Sequence, residues 1–280
     1  MAAPTGIAES RNYFSHLLML SWRSLAQLVR TPSHSRRAEA ARRAARHALL
    51  LSAGLGAAVI ALMYVLDAWE IGQMPKRGTP SLWWMRILTD FGKDEYVLAA
   101  LGVLLVAVAI TAPAFRGIQR SLLLGLGTRL QFVFCAVMVS ALITEVIKWG
   151  VGRGRPFVGN EGVFHFSHFA GTPAYSSFPS GHATCAFALA FAVSALWPNA
   201  RIAMLAYALV ICTTRLVLLA HHPSDVVAGA LIGVIGAMFV RYWFAARRLG
   251  FAIHRDGTIV PLVGPSSGRL KRVARGAFAP

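Results

Sequence analysis

Acidic side chains are scarce in this sequence. Asp and Glu together number 11 among 280 residues, against 28 Lys and Arg, which gives a formal net charge of +17. No cluster of carboxylates offers the oxygen ligands that Mg²⁺ or Ca²⁺ prefers. Charged residues of either sign make up only 14% of the chain, while hydrophobic residues make up 56%. Such a composition is typical of a membrane protein and excludes an ordinary soluble domain.

The basic residues do not indicate a nucleic-acid partner. They cluster in two tails and one short connection, and surface aromatic residues are not interleaved with them. We expect anionic lipid headgroups to supply the counter-charge at the basic tails.

Cysteine is scarce as well, with Cys135, Cys185 and Cys212 each inside an apolar run. The three form neither a C-x-x-C pair nor the spacing of a disulfide framework, so we expect small core residues. No secretory signal peptide is apparent, because the first long apolar run begins after about 45 residues and lacks a nearby small-residue cleavage site. We therefore expect this run to stay in the membrane.

Long apolar runs are abundant. Each is close to the ~20 residues that a helix needs to cross ~30 Å of hydrocarbon. The sequence therefore predicts an all-α polytopic membrane protein with six transmembrane helices. The predicted spans are residues 48–66, 96–112, 130–147, 181–197, 202–220 and 226–244.

The distribution of Arg and Lys predicts the orientation. Both tails and the second connection, which carries Arg116, Arg120 and Arg129, fall on one side of a six-span topology. The positive-inside rule makes that side cytoplasmic and turns the other connections outward. We expect the membrane to be a bacterial inner membrane, so that the outer connections face the periplasm. The predicted division is an Arg-rich tail with an amphipathic interfacial helix (1–46), a membrane domain (47–245) and a basic tail (246–280), frayed from Gly264.

The first outer connection, residues 67–95, contains "SLWWMRILTDFG". Trp83, Trp84, Ile87 and Leu88 favour a short amphipathic helix at the membrane surface, with the tryptophans as anchors. An ordinary folded loop fits the same pattern equally well.

The connection after the third span opens with "KWGVGRGRPF". Its glycines and proline predict a loop or a distorted helix end, in which backbone amides and the cations of Lys148, Arg153 and Arg155 could bind an anion. A basic, flexible loop is the simpler alternative. For Arg153 the sequence leaves two roles open, assistance to a second phosphate or headgroup, or exposure to water. Positive residues are disfavoured in connections on the outer side, so their presence here indicates a function for them.

The fourth span begins at "FPSGH". Ser180 is a good helix N-cap, followed by Gly181 and His182. Capping alone explains the pattern, but a helix N-terminus also has unpaired N–H groups and a positive dipole end that favour phosphate. His182 would then lie at the mouth of a phosphate site.

The fifth span ends in "TTRLVLLAHHPSD". Arg215 lies about six residues inside the predicted membrane edge, roughly 9 Å deep, where an ionisable residue indicates function unless it snorkels to the headgroups. Asp225 is predicted beside the start of the sixth span and near a histidine. His221, His222 and Asp225 could also be zinc ligands, but adjacent histidines rarely converge on one ion and the surrounding charge is positive.

These three motifs together resemble the type 2 phosphatidic acid phosphatase superfamily, which includes vanadium haloperoxidases and bacterial acid phosphatases. Its signature is a lysine, six residues and Arg-Pro, then Pro-Ser-Gly-His, then Ser-Arg, five residues, a histidine, three residues and an aspartate. The matching residues span roughly residues 80–245, in order and correctly spaced, and the one departure is threonine for serine at Thr214. In this sequence the three motifs lie at the outer ends of predicted helices three to six. The six predicted spans match the membrane branch of the superfamily, whose active site lies at the outer membrane surface.

The resemblance implies a role for each matching residue. His221, and not His222, would attack phosphorus to form a phosphohistidine, and Asp225 would orient its imidazole. His182 would protonate the leaving oxygen and later help to activate water. The phosphate would be bound, without metal or cofactor, by Lys148, Arg155, Arg215, Ser180 and Gly181.

The resemblance also implies a membrane lipid phosphate as substrate. Phosphatidate, phosphatidylglycerol phosphate, undecaprenyl pyrophosphate and the phosphates of lipid A all fit, because the motif residues contact only phosphate. Aromatic residues in the 157–178 loop fit a rim that touches lipid, or plain loop packing. Three other functions stay open: a phosphotransferase that uses the same site, a vanadium haloperoxidase, and a non-catalytic lipid-binding or transport protein.

Overall fold

Apolar helices build most of this structure, a computed structural model that describes residues 6–156, 158 and 163–262. Nine α-helices lie in this described part, joined by short 3₁₀ turns. They are α1 Gly6–Val29, α2 Arg37–Val65, α3 Asp67–Gln73, α4 Trp83–Asp90, α5 Asp94–Thr111, α6 Gly117–Val151, α7 Gly181–Leu196, α8 Arg201–Val217 and α9 Pro223–Ala246. A hairpin of β1 Phe251–Ile253 and β2 Ile259–Pro261 follows α9.

Every predicted span falls within or largely on one of these helices. Five helical segments of the described part are long and apolar enough to cross a membrane: α2, α5, α6, α8 with its preceding turn, and α9. The sixth, α7, is apolar but has only 16 residues. At 1.5 Å per residue it is about 24 Å long, short of the ~30 Å hydrocarbon core. The chain is therefore an integral membrane protein with five candidate spans, and the count of six stays a prediction.

Helix α9 occupies the centre of the bundle and packs against α7, α6 and α2. Its glycines make the contact with α7 unusually close. A Cβ atom at Gly229 would overlap the Ser180 carbonyl oxygen, and one at Gly233 would overlap that of Thr184. Small residues four apart allow two membrane helices to pack backbone against backbone. This contact holds the first turns of α7 and α9 side by side, which positions two of the three sequence motifs.

The hairpin corrects the expectation of an all-α chain ending in a basic tail. Phe251 is buried, and its ring packs edge-on against Phe132 of α6 at 4.8 Å between centroids. Asp256 and Gly257 form the turn, where Gly257 adopts a φ of +78° and Asp256 Oδ1 accepts a hydrogen bond from Thr258 N. The remainder of the predicted tail, from residue 263 onward and including the glycine at 264, lies outside the described residues.

The predicted surface helices exist as helices. Helix α1 covers the predicted amphipathic segment, and α4 confirms the helical interpretation of the first outer connection. Trp83 and Ile87 of α4 are more than half exposed, as an interfacial helix requires. Helix α2 begins at Arg37, well before the predicted start near residue 48, because the Arg- and Ala-rich stretch between them consists of strong helix formers.

Candidate active site

The three sequence motifs meet at one end of the bundle, where α6 and α8 end and α7 and α9 begin. Ser180 N, before α7, donates a hydrogen bond to the Asp225 carbonyl oxygen of α9 at 2.9 Å. Arg155 reaches the Ala220 carbonyl oxygen, before α9, at 3.5 Å. Lys148 Nζ lies 3.0 Å from the position that a Cβ atom would occupy at Gly181. The structure thus brings together all eight residues that the resemblance selected.

The N-terminus of α7 forms one wall of this site. Ser180 is fully buried and caps the helix, its Oγ accepting from Ala183 N at 3.5 Å, as the sequence predicts. Lys148, in the last turn of α6, lies next to Gly181 and forms an ion pair with Glu145. A lysine ammonium beside the free N–H groups of a helix start favours an anion.

Arg155 is fixed over the site by the loop that follows α6. Its Nε donates to the Pro173 carbonyl oxygen at 2.9 Å. Burial and the nearby charge of Arg77 lower the pKa of Arg155 from its usual value, but a guanidinium remains charged at neutral pH. Arg155 therefore brings a fixed positive charge to the site.

Arg215 is only 7% exposed, so it does not snorkel to the surface as one sequence alternative allowed. Its Nη1 donates to Thr89 Oγ1 of α4 at 2.8 Å, whereas its buried Nε has no hydrogen-bond partner among the described residues. A buried donor of this kind is available to an anionic ligand. The hydroxyl of the neighbouring Thr214 donates to the Ile211 carbonyl oxygen at 2.6 Å within the helix. A serine hydroxyl could make the same hydrogen bond, so the change from serine to threonine keeps this contact.

His221 is buried with one ring nitrogen committed. Its Nδ1 lies 2.8 Å from the Ser177 carbonyl oxygen. A carbonyl oxygen can only accept, so Nδ1 carries the hydrogen and the lone pair is on Nε2. Burial, followed by the charges of Arg215 and Arg155, lowers the pKa of His221 well below its usual value. A neutral imidazole whose lone pair is on Nε2, with two guanidinium groups nearby, is suited to attack phosphorus.

Asp225 acts on His221 less directly than the sequence suggested. Its Oδ2 lies 3.9 Å from His221 Nδ1, too far for a hydrogen bond. That oxygen instead accepts from Ser177 Oγ at 2.6 Å and from His222 N at 2.9 Å. Ser177, which the sequence analysis missed, therefore links the carboxylate to the histidine: its hydroxyl binds Asp225 and its carbonyl binds His221.

Arg153 is fully buried and joins two carboxylates. Its Nη1 donates to Asp225 Oδ1 at 2.6 Å and its Nη2 to Asp67 Oδ2 at 2.8 Å. Asp67 also accepts from Ser224, through the backbone N–H at 3.0 Å and through the hydroxyl. Both roles considered for Arg153 from the sequence are wrong, because its donors are committed inside the protein. Asp67 follows the first apolar run directly, and an acidic residue at a membrane edge was the available signal.

His182 has a buried Nε2 without a hydrogen-bond partner among the described residues. Gly92, just after α4, covers the ring: a Cβ atom there would lie 3.5 Å from His182 Cδ2 and against Ile211. The turn after α4 thus lies beside His182 at the site, and no sequence motif predicted this position.

The two adjacent histidines have different surroundings. His222 is buried on the Arg153 side, beside the Gly154 backbone, whereas His221 faces Ser177. Among the residues that the structure describes, no three His, Cys, Asp or Glu side chains are grouped to hold a metal ion.

The fold and the site together define a helical membrane protein with a cationic pocket around a neutral histidine. Residues 129–249 match the family model of the PAP2 superfamily. The match covers all the motif residues identified above.

Two curated relatives extend the comparison. The chain is 37% identical over 144 residues to a protein named lipid A 1-phosphatase from Rhizobium johnstonii, which covers 51% of this chain and 57% of that protein. It is 34% identical over 121 residues to a protein named putative undecaprenyl-diphosphatase YbjG from Escherichia coli, which covers 41% and 58%. The chain thus spans somewhat over half the length of the curated relatives it matches. No solved structure matches it.

Proposed function

We propose that this protein is a lipid phosphate phosphatase that hydrolyses a phosphomonoester or diphosphate on a membrane lipid through a phosphohistidine at His221. The observation that carries the proposal is the state of His221, whose Nδ1–H is held by Ser177, which leaves the lone pair on Nε2, with Arg155 and Arg215 nearby. The names of the relatives, both phosphatases of membrane lipids, support the same reaction.

In the first step His221 Nε2 attacks phosphorus, the P–N bond forms and the P–O bond to the lipid breaks. His182 gives a proton to the leaving oxygen. Arg155, Arg215 and Lys148, with the amides at the start of α7, stabilise the three equatorial oxygens. The positive charge that develops on His221 is balanced by the bound phosphate and, through Ser177, by Asp225.

In the second step water attacks the phosphohistidine. His182 takes a proton from the water, a new P–O bond forms, and the P–N bond breaks to release inorganic phosphate. Both protons are accounted for, because His182 ends in the state in which it began. No step requires a redox partner.

A lipid substrate fits the surroundings of the pocket. Phe164, Phe166 and Phe169 in the loop beside the site are all more than one third exposed, and so are Trp83 and Trp84 of α4. Aromatic side chains are enriched where protein meets lipid headgroups. We place the site on the periplasmic face of a bacterial inner membrane with both termini cytoplasmic, because the basic segments lie at the opposite end of the predicted spans.

The test is phosphate release from the purified protein across a panel of lipid phosphates. The panel comprises phosphatidate, phosphatidylglycerol phosphate, undecaprenyl diphosphate and lipid A, in mixed micelles of one detergent. Release of inorganic phosphate from at least one supports the proposal. Transfer of the phosphoryl group to another acceptor without free phosphate would identify a phosphotransferase, and binding without turnover would identify a lipid-binding protein.

We expect activity to persist in excess EDTA. The proposed chemistry uses cationic side chains where other phosphatases use metal ions, so chelation removes nothing that contacts the substrate. The measurement compares initial rates of phosphate release before and after long dialysis against EDTA. Sustained loss that only an added metal ion reverses would contradict the proposed site.

We expect acid to destabilise the protein partly through His221. Its pKa is lowered in the folded state, so below about pH 6.5 the unfolded chain binds a proton that the folded chain does not. This contribution to the free energy of unfolding is present above about pH 6.5 and is lost as pH falls toward the folded pKa. The decrease in Tm between about pH 7.5 and about pH 5 should therefore be smaller in His221→Ala than in wild type.

The matched control for that measurement is His165→Ala, at an exposed histidine in the loop beside the site. This variant should keep the Tm decrease of the wild type. An equal decrease in all three proteins would show that His221 is not buried in the neutral form.

A further inference from the structure

A pocket with two arginines in its wall lies at the end of the bundle opposite the catalytic site. This arginine pocket lies between α7, α8 and α9 and has a volume of about 340 Å³. Arg201 begins α8 and Arg241 lies near the end of α9, whereas the catalytic residues lie at the end of α8 and the start of α9. The rest of the lining is mainly apolar and includes Phe187, Ala190, Leu205 and Val234.

The arginine pocket has a charged end near the helix termini and an apolar interior deeper in the bundle. Arg241 lies five residues before the end of α9 at Ala246. Along the same helix the lining continues to Val234, seven residues further from that end, about 10 Å at 1.5 Å per residue. Phe187 and Ala190 extend the apolar wall along α7. A phospholipid has the same arrangement, with charge at the membrane surface and hydrocarbon below it.

Neither arginine has an anionic partner within the part of the chain that the structure describes. The Arg241 guanidinium lies over the Phe191 ring, 5.0 Å from its centroid, and its buried Nε has no hydrogen-bond partner among the described residues. Residues 263–280 contain neither Asp nor Glu. An arginine charge inside a membrane protein is costly unless it is paired, so an external anion would stabilise this pocket.

We propose that the arginine pocket binds an anionic phospholipid from the leaflet opposite the catalytic site. Arg201 and Arg241 bind its phosphodiester through charge-assisted hydrogen bonds, and an acyl chain lies along the apolar wall. Basic pockets between transmembrane helices bind anionic headgroups in this way. The apolar wall favours a lipid over a free phosphate ion, and the uncompensated charge favours an anionic lipid over a zwitterionic one. A phosphodiester lipid has no terminal phosphate to release, so this ligand is distinct from the substrate.

The test measures binding of three probes to purified protein in detergent by native mass spectrometry. The probes are dioleoyl phosphatidylglycerol, which is anionic, dioleoyl phosphatidylcholine, which has the same chains and a zwitterionic headgroup, and inorganic phosphate. The double variant Arg201→Gln/Arg241→Gln removes both charges of the pocket. Arg116→Gln is the matched control, because Arg116 is an exposed arginine just before α6, at the same end of the bundle, and does not line the pocket.

We expect phosphatidylglycerol to bind the wild type at least about tenfold more tightly than phosphatidylcholine. The double variant should bind phosphatidylglycerol about 25-fold more weakly, about fivefold for each arginine removed, while Arg116→Gln should bind it like the wild type. Inorganic phosphate should bind all of these proteins equally, because it binds at the catalytic site, which none of the substitutions changes.

A second pair of variants blocks the pocket without changing its charge. Leu205→Trp places an indole in the lining, and Leu209→Trp, one turn further along α8 and outside the lining, is its control. Both leucines are about half exposed, so both variants should fold. Leu205→Trp should weaken phosphatidylglycerol binding at least about fivefold, because the acyl chain loses apolar contact, and Leu209→Trp should not weaken it.

Equal binding of the two lipids to the wild type would overturn the proposal, and so would unchanged phosphatidylglycerol binding in the double variant or in Leu205→Trp. Loss of bound inorganic phosphate in the double variant would also overturn it, because the ligand would then be a free anion. If the double variant does not fold, the Leu205→Trp pair decides. The binding measurements do not depend on catalysis, so a wild type that binds phosphatidylglycerol but releases no phosphate from any lipid would overturn the proposed function alone.

Discussion

His221→Ala is expected to release phosphate at least about 10³-fold more slowly than the wild type, because the variant lacks the atom that attacks phosphorus. The phosphate-binding cations remain in this variant, so KM should change far less than kcat. Initial rates of phosphate release from purified protein, with the best substrate of the lipid panel, provide the measurement.

The neighbouring histidine serves as the comparison. His222 is also buried, but its ring is on the Arg153 side of the loop. His222→Ala should therefore retain much more activity than His221→Ala. Near-normal turnover by His221→Ala, or an equal loss in both variants, would exclude His221 as the nucleophile.

Arg153→Gln is expected to lower both stability and kcat strongly. The side chain joins Asp67 and Asp225 in a fully buried network, so its neutral replacement leaves two buried carboxylates without their cation. Removing one partner of a buried ion pair typically costs about 3–5 kcal/mol. Asp225 would also lose the contact that fixes it behind Ser177, so kcat should decrease more than KM rises.

A second substitution tests whether the loss of stability in Arg153→Gln comes from the unpaired carboxylates or from the altered packing. Asp67→Asn in the Arg153→Gln background removes one of the two unpaired carboxylates, so the double variant should have a higher Tm than Arg153→Gln alone. Thermal unfolding in detergent, with ligand binding and kinetics on the same samples, provides the comparison. A double variant that is less stable than Arg153→Gln would show that the network does not act through its charges.

The helical framework was predictable because each membrane span must be a long apolar run. Helices α2, α5, α6, α8 and α9 coincide with predicted spans, and α4 was one of two alternatives for its segment. The hairpin at Phe251 was missed, because its strands are only three residues each and are stabilised by packing on Phe132, a contact between distant parts of the chain. The length of α2 also differs from expectation, since helix ends depend on local propensity as well as on hydropathy.

The motif residues were predictable for a different reason. Each motif is local and can be identified from sequence, and it was the resemblance of all three together to one family that implied phosphate chemistry. The supporting contacts are not local: Thr89 reaches Arg215, and Asp67 reaches Arg153 across 86 positions of sequence. The role of Ser177 was not predictable, because it contacts His221 through its backbone carbonyl and a pattern of side chains does not show such a contact.

The most direct test of the central claim is to trap the covalent intermediate. Purified protein is mixed with a lipid phosphate that it hydrolyses, quenched within milliseconds at alkaline pH to preserve phosphohistidine, and digested for mass spectrometry. The account predicts the mass of one phosphoryl group on the peptide that contains His221, localised to His221 and absent from His221→Ala. Rapid phosphate release with no phosphorylated His221 at any time of quenching, or with the phosphoryl group on another residue, would contradict it.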